Sequence, residues 1–413
     1  MRIFIQMYRF LFTYLFLCSL HGLYSQGFQV NFQGQKQQGM GFAGTALFHD
    51  GSSIFYNAGS VAFSKENSIN LGVTPIFANV LYVDSATGNA YRTENPVGTP
   101  FSAYGLFQVK KLEKFRFGLA IYTPFGSTVQ WEENWIGRFA ITRLKLQAIY
   151  FQPSISYRLS PKIGIGAGFI FSNGSVNLQK DIPVQDSLGN FSHAELNGKA
   201  NGFGYNLGIH FQVNDKFSVG LSYRSKIKMA LKQGAATFTV PPSLNTNFPN
   251  GNFSGSLPLP DVATIGFAYK VSKKWTLAID INHVGWKSYD TLAFDYELNT
   301  TSLLDTKSPR NYKNIFAFRG GAAVSALQNL DLRFGGGFGF TPVQDGYLTP
   351  ETPDANRIYG TLGLSYRFTN RFSMDASLYY THIKRAGKNI ETNLNGTFTT
   401  KALAPGFSLI YKW

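Results

Sequence analysis

The side chains able to carry covalent chemistry are few in this chain, and their spacing assembles no familiar reaction centre. A serine hydrolase needs an activated serine, a histidine base and a group that orients it. No Gly-x-Ser-x-Gly elbow occurs, and His49, His193, His210, His283 and His382 are scattered without metal-ligand spacing. The run Gly164-Ile165-Gly166-Ala167-Gly168 lacks the offset third glycine and the following helix of a dinucleotide loop. No enzymatic activity, metal or cofactor is expected. Glycines at every second position suit instead a strand whose small inward face leaves room for something beside it.

The residues able to recognise a ligand are cations, and strand periodicity is what would position them. Successive strand side chains point to opposite faces. From Phe217, one set is Phe217, Val219, Leu221, Tyr223, Ile227 and Met229, and the other is Ser218, Gly220, Ser222, Arg224, Lys226 and Lys228. The same alternation runs from Trp275 through Leu277, Ile279 and Ile281, from Leu330 to Phe340, and from Phe372 to Tyr380. With the apolar set facing lipid, Arg158, Arg224, Lys226, Lys228, Arg333 and Arg367 fall inside against Asp280, Asp331 and Asp375, giving a net basic interior. Arg158, Arg224, Arg333 and Arg367 are the candidate ligand-binding residues, able to meet a carboxylate when both partners are partly desolvated. The competing assignment pairs these cations with the inward aspartates and neighbouring backbone.

Composition supports a greasy-outside, wet-inside β protein: 16% aromatic residues, 42 glycines, 15% charged residues and 44% hydrophobic content with no long apolar block. Arg2 and Arg9, an apolar run from Phe10 to Leu20 and small polar residues around Ser25 predict a cleavable export signal over residues 1–25. Cys18 lies within it, so the exported chain carries no thiol. A formal charge of +15 on an exported chain without a recognition helix or zinc-finger spacing points away from nucleic acid. Lipopolysaccharide outside and anionic ligands inside are the expected partners.

Connections alternate in length. Short ones fall near residues 110–114, 160–162, 214–216, 272–274, 326–329 and 369–371, and long polar ones near 84–98, 125–143, 174–199, 231–255, 287–312, 341–355 and 385–396. Six turns and seven loops join fourteen strands with both ends on one side, as a bacterial outer-membrane barrel requires. The predicted fold is therefore all-β, a 14-stranded antiparallel transmembrane β-barrel over residues 64–413, closed because lipid leaves no edge hydrogen bond satisfied. The final strand alternates Phe407, Leu409, Tyr411 and Trp413, an aromatic ending of the kind thought to be read by barrel-assembly machinery, and a monomer is expected. A secreted sandwich or propeller would turn less aromatic surface outward.

Residues 26–63 precede the first strand, lack clean alternation and contain Gly39-Met40-Gly41-Phe42-Ala43-Gly44-Thr45-Ala46 and Asp50-Gly51-Ser52-Ser53-Ile54-Phe55-Tyr56-Asn57-Ala58-Gly59. This segment resembles the N-terminal plug of the FadL/OmpP1/TodX family of outer-membrane long-chain fatty acid and hydrocarbon transporters. Further matches are Tyr122-Thr123-Pro124-Phe125-Gly126 with Trp131 and Trp135, Leu259-Pro260, Asp280 with Trp286, Thr352-Pro353-Asp354-Ala355-Asn356-Arg357, and Gly363-Leu364-Ser365-Tyr366. The resemblance covers essentially the whole exported chain. It implies a lumenal hatch at 26–63, passive uptake of hydrophobic ligands, a hatch that shifts, and sideways exit through a kinked third strand. The hatch motif Asn57, Ala58, Gly59 departs from the family's usual Asn-Pro-Ala, since Asn57 is followed directly by Ala58.

The candidate kink is Pro124, flanked by Gly118 and Gly126, because proline cannot donate to a ladder; alternatively Pro124 simply begins a loop. Fatty-acid uptake is the expected function. An aromatic or aliphatic hydrocarbon channel would want no carboxylate-binding cation, a general porin would want no plug, and an adhesive or structural barrel would bind through its loops.

Overall fold

The computed structural model describes residues 27–413, so the expected export signal and Cys18 lie outside the described residues. Fourteen antiparallel strands form one closed barrel. They are β1 (Ser68–Val73 and Phe77–Asp84), β2 (Ala90–Arg92 and Phe101–Phe107), β3 (Phe115–Gln130), β4 (Arg143–Arg158), β5 (Ile163–Gln185), β6 (Phe191–Gln212) and β7 (Phe217–Arg224 and Ile227–Thr239). The second half comprises β8 (Gly251–Leu259 and Val262–Lys270), β9 (Trp275–Val284 and Thr291–Tyr296), β10 (Thr306–Pro309 and Ile315–Leu327), β11 (Leu330–Gly339), β12 (Arg357–Arg367), β13 (Phe372–Lys388) and β14 (Asn395–Lys412). Closure comes from β14 returning to β1, from Ser68 opposite Lys412 to Val73 opposite Phe407.

The outward face is the apolar set read from the sequence. Leu221, Ile279, Phe334, Leu378 and Phe407 are all exposed at the wall. Rings collect at the short-turn end, where Phe217 stacks on Phe267, Trp275 meets Phe334, and Tyr411 stacks on Trp413. These form the aromatic girdle of a membrane interface.

Several connections expected to be long loops are largely strand. β5 runs on to Gln185 before β6 starts at Phe191, and β7 runs to Thr239 before β8 starts at Gly251. The extended wall has an apolar inner cluster of its own, including Ile182, Leu196, Leu231, Phe238 and Phe253. That cluster explains why the sheet continues beyond the lipid rather than dissolving into loops.

The alternation of β7 does not run unbroken, which corrects the placement of Lys226 and Lys228. Arg224 and Ser225 are both buried, after which Ile227, Met229 and Leu231 turn inward while Lys226, Lys228 and Lys232 are exposed on the outside. A matching break falls in β8 at Pro260 and Asp261, in register with that in β7, since Arg224 pairs with Val262 below it and Ile227 with Leu259 above. An added residue in a period-two element exchanges its faces. The physical reason is a change of surroundings: below the break the outside is lipid, whereas above it the outside is water and the inside is an apolar cavity.

Residues 27–63 are packed inside this wall. A short helix α1 (Gln35–Gly39), a second α2 (Ser53–Tyr56) and a 3-10 turn (Ser60–Phe63) are almost wholly buried. The segment's backbone lies directly on glycines of the strands. A β-carbon on Gly166 would collide with the Ala58 carbonyl, and one on Gly220 with the Thr45 carbonyl. These are the small inward faces anticipated for 164–168. Replacing Gly220→Val should therefore displace the segment, because overpacking backbone against backbone costs about 1–3 kcal/mol. Trypsin cleavage after the half-buried Lys36 measures this, and the rate should rise by roughly tenfold or more; an unchanged rate would show that the contact is slack.

Candidate ligand pocket and lateral gap

The local geometry starts at Pro124. β3 pairs regularly with β2 from Phe107 opposite Phe117 to Ser102 opposite Tyr122 and then separates, meeting it again only at the bridge between Thr93 and Trp131. On its other side, the register with β4 shifts between Tyr122 and Phe125. Pro124 thus lies within a strand that continues to Gln130, with Gly126 inside the separated stretch and Gly118 in the regularly paired part below it.

The free edge of β3 is taken by the N-terminal segment. Val30 N donates to Pro124 O at 2.8 Å, Gly126 N donates to Phe28 O at 3.3 Å, and the Gln33 amide donates to Thr123 O at 2.9 Å. Gln29 stands opposite Phe125 as a one-residue antiparallel bridge. The wall is complete here only because a piece of the lumenal segment supplies the missing strand.

Behind that patch lies an apolar cavity of about 880 Å³, including its open mouth, lined by residues such as Leu144, Val176, Met229, Leu231, Leu257 and Leu292. Phe28 and Phe125 close it toward the gap, with ring centroids 6.1 Å apart, and Phe28 also meets Trp286 at 4.8 Å and Tyr289 at 5.7 Å. The inward turn of β7 supplies Met229 and Leu231, so the break at Ser225 is what makes this lining apolar. Its only charged lining residue, Glu351, is held at 2.8 Å by Arg310. Neither Phe28 nor Arg310 carried a periodic signal in the sequence, since both lie in irregular stretches.

A smaller polar chamber is bounded by Gln29, Asn31, Tyr56, Arg224, Asn282 and Arg319. Arg224 is buried, donates to Phe55 O at 2.7 Å and lies 3.9 Å over the Phe55 ring. Arg319, buried on β10, donates to Asn31 Oδ1 at 3.2 Å. The Nε atoms of both guanidinium groups are buried without a hydrogen-bond partner. Arg319 was missed because its neighbours Phe318 and Gly320 in a glycine-rich strand gave no charged pattern.

The other predicted cations are elsewhere. Arg333 donates to Ser365 Oγ at 2.6 Å and lies 3.9 Å from Asp331, while Arg367 is 45% exposed at its side chain and pairs with Asp331 at 2.9 Å. Arg158 is half-buried at the short-turn end, its backbone N bonded to Lys114 O. None of these three lines the apolar cavity or the polar chamber.

The N-terminal segment is tied to the wall by polar contacts. Asp280 accepts from Gly44 N, Thr45 N and Thr45 Oγ1 at 2.7–3.0 Å. Lys36 bridges Asp50 at 3.1 Å and Asp375 at 3.9 Å. At the motif Asn57, Ala58, Gly59, the Asn57 amide donates to Thr45 O and Ile209 O and its Oδ1 accepts from Gly59 N at 2.9 Å, so side-chain bonds hold the turn that proline would otherwise stiffen.

The sequence matches the family description of outer membrane protein transport proteins (OMPP1/FadL/TodX) over residues 21–413. The chain belongs to this family. It is accordingly an outer-membrane β-barrel transporter of hydrophobic small molecules and not an enzyme. Among its relatives is a long-chain fatty acid transport protein of Escherichia coli O6:H1, 21% identical over 393 residues, covering 87% of each chain. The fold is shared with a Pseudomonas aeruginosa FadL homologue, with a TM-score of 0.80, 20% identity and coverage of 94% of this chain and 99% of the other. It is likewise shared with the Pseudomonas putida toluene transporter TodX, with a TM-score of 0.73, 15% identity and coverage of 94% and 99%.

His49, next to Asp50 of the Lys36–Asp50–Asp375 cluster, has a buried Nε2 with no partner, and burial together with the nearby Arg333 holds its imidazole down to about 3. A hydrated His49 titrates near 6.5. Below that pH a displaced segment binds a proton that the packed segment refuses, so the packed state loses about tenfold in relative population per pH unit as pH falls from about 6.5 toward 3. Planar-bilayer conductance should therefore rise on acidification from pH 7 to 4.5, and His49→Asn should flatten that rise; an identical rise in the variant would assign it to other groups.

Proposed function

We propose that this transporter takes up long-chain fatty acids, with the hatch formed by the N-terminal segment gating lateral exit between β2 and β3. The observation that carries the reading is that Phe28 of the hatch and Phe125 of β3 line the apolar cavity and also belong to the patch that covers the separated stretch of the wall. The tail occupies the cavity, and the carboxylate is met by Arg224 together with Arg319, whose unpartnered Nε atoms border the polar chamber. Movement of residues 28–30 off the β3 edge then opens the wall beside Pro124 and Gly126. The fatty-acid transport proteins among the relatives support this reading.

A hydrocarbon ligand is the second reading, favoured by the absence of any unpaired cation in the apolar lining and by the fold shared with a toluene transporter. Binding of a long-chain fatty acid and of a chain-matched alkane to the purified barrel separates the two. Arg224→Gln and Arg319→Gln should each weaken acid binding by roughly tenfold to a hundredfold and leave the alkane unchanged. Equal affinity for acid and alkane, indifferent to both substitutions, would establish the hydrocarbon reading instead.

Exit is tested separately. Gln29 and Phe125 form a bridge flanked by the bonds from Val30 to Pro124 and from Gly126 to Phe28, so the two directly facing residues form a non-hydrogen-bonded antiparallel pair close enough for a disulfide. In a Gln29→Cys, Phe125→Cys variant, oxidation should abolish uptake into vesicles while ligand binding persists, and reduction should restore uptake. Undiminished uptake with the bridge closed would exclude this route.

A further inference from the structure

On the outer wall of β7 to β10, with β6 bordering the lower one, two grooves lie one above the other. The lower one, of about 370 Å³, is lipid-facing and lined by apolar side chains such as Leu207, Ile209, Leu221, Tyr223, Ile265 and Phe316. The upper one, of about 670 Å³, is lined by Lys228, Lys232, Lys307, Ser254, Asp295 and Asp305. The same strands supply both: β7 contributes Leu221 and Tyr223 below its break and Lys228 and Lys232 above, with exposed Lys226 at the break itself.

The lysines of this face have no internal purpose. No carboxylate lies within ion-pair distance of Lys226, Lys228, Lys232 or Lys307 among the described residues. Asp295 accepts from Ser254 Oγ at 3.4 Å and Asp305 from Tyr296 N at 3.0 Å, and accepting a hydrogen bond leaves each carboxylate its charge, so the lysines lining the upper groove outnumber its carboxylates three to two. Three ammonium groups of β7 are therefore directed at the level where lipid headgroups begin, directly over a groove that would otherwise have to be filled by acyl chain. Cations just outside the hydrocarbon boundary attract anionic headgroups, each adding roughly a few-fold to binding. A zwitterionic phospholipid offers little surplus negative charge to such a cluster, whereas a multiply acylated lipid carrying phosphates on its sugar headgroup satisfies both grooves at once.

We propose that this face binds one molecule of a phosphorylated glycolipid of the outer leaflet, lipopolysaccharide, with acyl chain in the lower groove and phosphate at Lys226, Lys228 and Lys232. The site is on the opposite side of the wall from the transport cavity. The paired breaks in β7 and β8 create both surfaces, since the residue shift that turns Ile227 and Met229 inward turns the lysines outward.

The test is native mass spectrometry and lipid titration of the full folded barrel, with heat-modifiable gel mobility reporting folding. The wild type should retain phosphorylated lipopolysaccharide, and the Lys226→Gln, Lys228→Gln, Lys232→Gln variant should bind it on the order of a hundredfold more weakly. Enzymatically dephosphorylated lipopolysaccharide should bind the wild type as poorly, and phosphatidylethanolamine and inorganic phosphate should not compete. A control variant, Lys110→Gln, Lys111→Gln, Lys114→Gln, removes equal charge from the turn between β2 and β3 and should retain the lipid. Undiminished binding by the β7 variant, equal loss in the control, or effective competition by inorganic phosphate alone would each overturn the proposal.

Discussion

Everything in this structure depends on one constraint: a backbone amide or carbonyl facing hydrocarbon has no water to bond, so each strand needs a partner on both sides. Return of β14 to β1 satisfies that demand around the ring. The constraint also gives meaning to the one place where it is relaxed. Between Tyr122 and Trp131, β3 has no neighbour in the wall on its β2 side, and the unpaired edge is covered by Phe28, Gln29 and Val30. A proline at position 124 fits there because it brings no donor to leave unsatisfied. The backbone of residues 28–30 supplies the bonds that this edge would otherwise lack.

Docking rests on backbone-to-backbone proximity, on an apolar cluster shared with the wall and on a few buried polar ties. Glycines of neighbouring strands let the segment's carbonyls come against the wall, and Asp280, Asn57 and Lys36 then satisfy groups that burial would otherwise strand without partners. The ties work alongside apolar packing, since Phe42, Ile54, Phe55 and Val61 of the segment share one buried cluster with Tyr104, Leu106 and Tyr122 of the wall.

A second organising feature is the reversal of polarity along the barrel axis. Inside the lipid-embedded part the wall is apolar outward and polar inward; above the breaks in β7 and β8 it is polar outward and apolar inward. The apolar cavity and the cationic outer groove both belong to this upper section. A barrel that kept one polarity throughout would offer a hydrophobic ligand no dry compartment above the membrane, and the outer surface would carry grease where water is.

Much of this was determined by the sequence alone, because strand periodicity, turn placement and the aromatic terminus are local properties. The faces of β9, β11 and β13 and the six short turns are legible from residue order, and the small inward faces of Gly164 and Gly166 follow from their spacing. Family motifs at 39–59 and 122–126 fall on the segment packed inside the wall and on the strand whose pairing with β2 is interrupted. What only the tertiary structure decided is where periodicity breaks and what meets across the lumen. Lys226 and Lys228 continue the written alternation of β7 perfectly, yet Ser225 shifts them to the outside, because the solvent on either side of a wall is not encoded in the wall's own period. Likewise Arg319 joins Arg224, and Phe28 meets Phe125, across sequence separations of about a hundred residues. Such pairings are set by closure of the ring and by packing of a segment within it, and no local pattern of residues carries them.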